Sequence, residues 1–228
     1  MEVEAIMRRC MLILILVLPV AGVFGLDVGF GASGGYVLNE MSTSLSSAAV
    51  SSRTQDTHVP FGASVYADIG IIQVSIGYTQ FTLSRVLSTL SAAGTTTTLI
   101  DIPTGTGGYV SFALLGKYPF VLGAFTLSPL LGLEMDFNVI LLDAAGNDLR
   151  AAMTNELKNG QNQVWLKAGA AFDMPLSERA YLRSEALFSY KLPNSKEQSD
   201  LLAAQHAGFD VLLFAIRPEI DLFVGFKL

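Results

Sequence analysis

The stretch Glu219-Ile220-Asp221-Leu222-Phe223-Val224-Gly225-Phe226-Lys227-Leu228 decides the fold. Apolar residues stand at 220, 222, 224, 226 and 228, and Glu219, Asp221 and Lys227 fall between them. Period two is the spacing of a β-strand, so one face is greasy and the other carries charge. A strand of a soluble sandwich points its charged face at water. In a membrane-spanning barrel the faces are exchanged: the apolar one meets lipid and the charged one meets a polar lumen.

Seven further segments alternate in the same way, near 26–39, 61–69, 72–82, 108–118, 125–137, 163–173 and 180–192, with the eighth near 212–228. In each, one parity is apolar (Val110, Phe112 and Leu114, for example) and the other polar (Tyr109, Ser111 and Lys117). The connectors between them alternate in length. Those at 41–59, 83–107, 138–162 and 193–211 are long, whereas 68–71, 119–124 and 174–179 are short. Outer-membrane barrels have short periplasmic turns and long extracellular loops. The expected fold is therefore all-β: an eight-stranded antiparallel up-and-down transmembrane β-barrel with both termini in the periplasm. Pro129 and Pro218 fall inside expected strands, and their missing ladder bonds predict bulges or strand ends there. A short helix is possible within 143–158, where Leu149, Met153 and Leu157 recur at fours.

The opposite end of the chain reads as an address. Arg8 and Arg9 precede an apolar run, 11–24, that is shorter than the ~20 residues a spanning helix needs. With Val23 and Gly25 at the −3 and −1 positions, residues 1–25 are expected to be a cleaved signal peptide and 26–228 the barrel domain. Cys10, the one cysteine, leaves with the signal, which removes disulfides and thiolate sites. Net charge is −6 before and after cleavage, since Glu2 and Glu4 leave with Arg8 and Arg9. A sequence pI of 4.8 gives no electrostatic footing for nucleic acid. Only 15% of residues are charged and mean hydropathy is +0.47. After the signal no long apolar helix accounts for that value; a lipid-facing barrel does.

The terminal strand resembles the C-terminal sorting signal of bacterial outer-membrane barrels through Leu222, Val224, Phe226 and Leu228. Many members end in Phe; here Leu228 is last and Phe226 supplies the aromatic. Signal, eight strands and terminal signature together resemble the small outer-membrane barrels of the OmpW and opacity-protein type. Lys117-Tyr118-Pro119-Phe120, Pro129-Leu130-Leu131-Gly132 and Tyr181-Leu182-Arg183-Ser184-Glu185 are similar to phrases of spirochaete members of that group. An OmpW-like resemblance implies a narrow channel for small, often hydrophobic molecules. An opacity-like one implies surface-exposed loops that contact host molecules. Either way the partners are outer-membrane lipid and the barrel-assembly machinery.

An eight-stranded barrel is only wide enough for side chains or one small ligand. Strand direction places Asp27, Asp68, Lys117, Asp173, Arg183, Glu185, Asp221 and Lys227 in the periplasmic half of the lumen. They are expected to form a charged plug, either fixed or able to exchange partners as a gate. Val37, Phe81, Leu83, Tyr109, Trp165, Leu187 and Leu213 are expected in the extracellular half, where they either line an apolar pocket or cap the core. No cofactor, metal or catalytic set is expected. His58 and His206 lie far apart without cysteine partners, no serine stands in a Gly-x-Ser-x-Gly elbow, and Gly105–Gly108 lacks the lysine of a phosphate loop.

A closed barrel should resist SDS in the cold and migrate differently after boiling. Unchanged migration, with a mature chain freely soluble without detergent, would exclude the membrane barrel.

Overall fold

The alternating segments close into one cylinder. The structure, a computed structural model, describes residues 26–45, 51–90, 96–193 and 209–228; for 40–45, 51–55, 83–90, 96–104, 156 and 209–213 it describes the backbone alone. The expected signal segment, 1–25, lies outside the described residues.

Eleven strand segments are present: β1 (Leu26–Gly35), β2 (Val37–Leu45), β3 (Ser51–His58), β4 (Phe61–Ile69), β5 (Ile72–Leu90), β6 (Thr96–Lys117), β7 (Phe120–Leu122), β8 (Phe125–Leu142), β9 (Gln163–Pro175), β10 (Ala180–Leu192) and β11 (Phe209–Lys227). They make eight staves. β1 and β2 form one stave, because both follow β11 in unbroken register, Gly35↔Glu219 and then Leu38↔Ile216. β3 and β4 likewise share one register against β5, His58↔Leu83 and Phe61↔Gln80. β6 and β7 share one against β8, Lys117↔Leu130 and Phe120↔Leu127. Every stave pairs antiparallel with its sequence neighbour, and β1 on β11 closes the ring.

The interruptions have a chemical cause. Pro60, Pro119 and Pro218 lack an N–H. Their carbonyls remain available: Gly35 N donates to Pro60 O at 3.1 Å and Tyr36 N donates to Pro218 O at 3.0 Å. The expected bulges at Pro129 and Pro218 are corrected by this geometry. Pro129 stays opposite Ala170 and Pro218 opposite Phe188 without a register shift. Both are exposed on the outer face. The bulges lie at Leu83/Ser84 and Leu87/Ser88 in β5–β6 and at Gly108/Tyr109 in β6–β8.

Two of the expected long connectors are also corrected. The backbone of 41–45 and 51–58 continues a hairpin ladder, Val37↔His58 through Ser44↔Ser51. The same holds for β5 and β6 out to Leu90↔Thr96. β-Branched threonine suits a pleated strand as readily as a loop, so a Ser/Thr-rich run does not mark a break in the ladder. Residues 46–50, 91–95 and 194–208 lie outside the described residues. In the third connector β8 runs to Leu142. Asp143 then closes a turn, its carboxylate accepting from Ala145 N (2.9 Å), Asn147 N (2.8 Å) and Asn147 Nδ2 (2.9 Å). A short helix α1 (Asn155–Gly160) follows, capped by the Thr154 side chain. At the opposite end the turns are tight, and Gly70 (φ 60°) and Gly123 (φ 66°) supply a left-handed residue in two of the three.

The outer surface identifies the solvent. Outward positions within 26–36, 61–82, 110–118, 125–139, 164–174, 182–190 and 214–226 carry no Asp, Glu, Lys or Arg; Gln80, Thr82 and Ser184 are the polar ones. Large apolar residues stand in the open on this face, among them Phe61 (69%), Leu131 (61%) and Ile220 (66%). A water-facing barrel has the opposite arrangement, so this cylinder is a transmembrane barrel with a lipid-facing belt.

Because β11 contacts both β10 and β1, deleting 222–228 removes bonds on two seams and exposes unpaired backbone to hydrocarbon. The truncated chain should lose its heat-modifiable form and fail to accumulate in membranes; near-normal levels of a heat-modifiable truncate would contradict this.

Candidate functional site: the ion-paired lumen

The parity that keeps charge off the outer face drives it into the bore. A buried charge is costly unless it is paired and hydrogen-bonded. The described residues meet that cost in two ion-pair layers.

The layer nearer the tight turns is built on Arg183, which has no exposed surface. Its Nε and Nη2 make a bidentate fork on Asp173 at 2.6 and 2.8 Å. Nη2 also lies 2.8 Å from Asp68 Oδ2, and Lys117 Nζ grips the same oxygen from β6. Nη1 donates to Gln73 Oε1 at 3.2 Å, and Gln73 Nε2 donates to Glu185 Oε1 at 2.9 Å. Above the guanidinium lie the rings of Tyr66 (4.4 Å) and Tyr181 (5.4 Å), whose hydroxyls are joined at 2.8 Å. Room for these rings comes from Gly29 and Gly225. A Cβ at either would lie 2.4 or 2.3 Å from a tyrosine ring atom. Arg183 thus ties β10 to β4, β5 and β9 across the bore.

The layer nearer the long connectors is built on Arg217. Its Nη1 donates to Asp136 Oδ2 and its Nε to Glu219 Oε1, both at 2.8 Å, and its Nη2 pairs with Glu134. Lys167 Nζ bridges Glu134 (2.7 Å) and Glu219 (3.1 Å), and Ser189 Oγ donates to Glu219 at 2.7 Å. Trp165 lies under the Arg217 guanidinium at 4.5 Å, and its Nε1 donates to Asp136 at 2.9 Å.

Of the residues expected in the charged plug, Asp68, Lys117, Asp173, Arg183 and Glu185 come together. Asp27 and Lys227 face each other across β1 and β11 at the turn-end mouth, with no direct ion pair among the described residues. Asp221 stands above the lower layer, also without an ion pair. The upper layer was absent from the expected plug, although Glu134, Asp136 and Lys167 have the inward parity, as do Arg217 and Glu219. Height along the axis misled, because barrel strands tilt by about 35–45°. Counting residues from a turn therefore misplaces neighbours on distant staves.

The expected apolar upper pocket is not one pocket. Val37 and Trp165 pack with Ala215. Phe81 stacks on Tyr109 at 5.1 Å, with His58 on Phe81 at 4.3 Å. Leu187 belongs lower, with Ala113, Leu115, Leu130 and Ala171. The side chains of Leu83 and Leu213 lie outside the described residues. The aromatics sit against ionic groups because indole and phenol rings accept cations on their faces and carry a polar atom at the rim. On the outer face of β11, Leu222 and Phe226 are exposed, and Phe226 stacks on Phe30 at 6.3 Å. Val224 lies between them, and Leu228 N donates to Leu26 O at 2.9 Å.

No family model and no curated protein sequence matches the chain. Among solved structures it is similar to the outer membrane protein OprG from Pseudomonas aeruginosa (TM-score 0.44, 14% identity, covering 89% of this chain and 95% of that one). It is also similar to the outer membrane protease OmpT from Escherichia coli (TM-score 0.34, 8% identity, 89% and 97%). A third is the translocator domain of the autotransporter NalP from Neisseria meningitidis (TM-score 0.30, 11% identity, 99% and 98%). These similarities are low, and the barrel assignment rests on the chain's own strand pairing.

Arg183→Ala strands Asp173 in the bore, takes the nearest cation from Glu185 and leaves Asp68 with Lys117 alone. Breaking a buried pair from one side costs about 3–5 kcal/mol, so the urea midpoint of the detergent-folded barrel should fall sharply. Lys227→Ala, at the mouth, should leave it nearly unchanged. Equal midpoints for the two variants would mean that Arg183 does not organise the lower layer.

Proposed function

We propose that the chain is a non-enzymatic protein of a bacterial outer membrane that lets small hydrophobic molecules pass, entering at the long-connector end and leaving sideways through the barrel wall into lipid. In this proposal the tight turns and both termini face the periplasm. One observation carries the route: two ion-pair layers fill the axis below an aromatic mouth. An apolar solute would have to part the buried side chains of Phe81, Tyr109, Val37 and Trp165 to enter, and to separate buried ion pairs to continue down the bore. The wall offers an alternative. Two neighbouring staves are interrupted at one level, at Tyr36 and at Val59–Pro60, and the adjoining unbroken stave β11 carries Pro218, without an N–H, at that level, just below Val37 and His58. Fewer strand bonds have to part there than elsewhere. The outer-membrane setting draws on the charge-free outer belt, the signal-like N-terminus and the OmpW-like resemblance.

A second function is favoured by a separate observation. The β2–β3 and β5–β6 ladders extend well beyond the last outward apolar residues of the belt, as far as Ser44↔Ser51 and Leu90↔Thr96. Extended hairpins of this kind suit a surface-exposed adhesin or antigen that presents 41–57 and 84–98, together with the connector 193–209, to host molecules, with the barrel as scaffold.

Leu38 and Ile216 are register partners on β2 and β11 beside the interruption. Antiparallel neighbours are within disulfide range, and with Cys10 removed the chain has no competing thiol. In the Leu38→Cys/Ile216→Cys variant, oxidation should cut uptake of small apolar compounds into proteoliposomes at least about tenfold, and reduction should restore it. Trp165→Ala and Phe81→Ala should lower uptake by weakening the mouth. Undiminished uptake by the pinned barrel would refute the sideways exit, and uptake no higher than in protein-free vesicles would end the transport proposal. For the second function, each hairpin shortened to a tight turn should leave the barrel folded. Loss of binding to host matrix with one hairpin, while uptake persists, would assign adhesion.

A further inference from the structure

Between the two layers lies a cavity of about 40 Å³. One wall is made of small hydroxyl residues, Ser33, Ser64, Ser75 and Ser111, and the other of carboxylates and Lys167. A single water needs about 10–15 Å³ of such space, so the cavity takes roughly three water-sized particles. Asp221 faces it. The residue is only 6% exposed, and its Oδ1 has no hydrogen-bond partner. No ion pair reaches it among the described residues.

Its neighbours make this lone carboxyl harder to account for. Asp221 is the register partner of Glu185 on β10, and both face inward. Like charges directly opposite on adjacent strands repel, and burial strengthens the repulsion. Cations nearby are already engaged. Arg217 and Lys167 are shared among Glu134, Asp136 and Glu219, and Arg183 and Lys117 among Asp68, Asp173 and Glu185. Each layer thus has two cations for three carboxylates, and Asp221 adds a further carboxyl between them. On the far side of Asp221, in register on β1, stands the hydroxyl of Ser33.

We infer that the central cavity is a binding site for a small monovalent metal cation with one or two waters, held by Asp221 and the serine hydroxyls facing it. The ion offsets the excess negative charge and separates Asp221 from Glu185. A divalent ion is disfavoured, because among the described residues no three acidic, histidine or cysteine side chains converge on one point. Neutral oxygens and water suit a singly charged ion that gives up part of its hydration shell. The site lies between the layers, so it holds whether or not a solute crosses the barrel.

The test uses the full-length protein, matured and folded in detergent, with the midpoint of the boiling-induced mobility shift as readout. Potassium or sodium chloride should raise the midpoint over choline chloride at equal ionic strength, by roughly 3–6 °C at tenfold above Kd. Choline is too large for the cavity. In Asp221→Asn the difference should vanish, while the midpoint in choline should match or exceed that of the natural chain because an unpaired charge is gone. Ser33→Ala should shrink the difference, which keeps the test open should Asp221→Asn fold poorly. In crystals soaked with thallium(I), an anomalous peak should appear between the layers beside Asp221. Equal stabilisation by choline, the same shift in Asp221→Asn, or ordered water with no thallium peak would each overturn the site.

Discussion

Backbone closure in hydrocarbon is the constraint from which the rest of the structure follows. With no water in the belt, each N–H and C=O needs a partner within the chain, and a sheet can supply one only by returning on itself. β1 on β11 makes that return. The interruptions at Pro60 and Pro218 are tolerated because the carbonyl of each still receives a neighbour's N–H. Closure at eight staves then sets the bore, which is too narrow for an open aqueous channel and wide enough for packed side chains.

A narrow bore with inverted polarity raises a second demand. Charge excluded from the lipid face collects inside, where each group must find a partner. Arginine answers this better than lysine could. Its planar fork meets several acceptors at once, so Arg183 serves Asp173, Asp68 and Gln73, and Arg217 serves Glu134, Asp136 and Glu219. Both guanidiniums also lie over aromatic rings, which fill the space that the ion pairs leave. The interior is correspondingly two-sided. The wall of β8–β11 carries most of the large ionic groups, and the opposite wall carries Ser33, Ser64, Ser75, Gly77 and Ser111. Small residues on one wall leave the volume that long side chains from the other occupy, and the remainder is the central cavity.

Strand existence and facing were legible along the chain because a period of two is local. Tyr66, Asp68 and Gln73 face inward, and Phe61, Val74 and Ile76 outward, from parity alone. Strand ends were less legible. The Ser/Thr stretches of 41–57 and 84–98 look like loops by composition, yet their backbone continues the ladder, because pairing with a neighbour outweighs weak local preference. Proline was misleading in the other direction: Pro129 and Pro218 suggested bulges, but an outward proline with its carbonyl still engaged leaves the register intact.

Sequence alone therefore determined the class of barrel, the parity of each stave and the set of residues available to the lumen, since these depend on neighbours within a few positions. Tertiary structure decided which of them meet. The Arg183 and Arg217 layers draw on staves distant in the chain, with Gln73 reaching Glu185 and Arg217 reaching Glu134. Their common height is set by strand tilt and ring closure, which no single strand encodes. The same holds for Asp221, an ordinary inward residue of an alternating strand. Only the assembled ring places Glu185 beside it, Ser33 on its other side, and, among the described residues, the nearby cations Arg217, Lys167, Arg183 and Lys117 on other carboxylates.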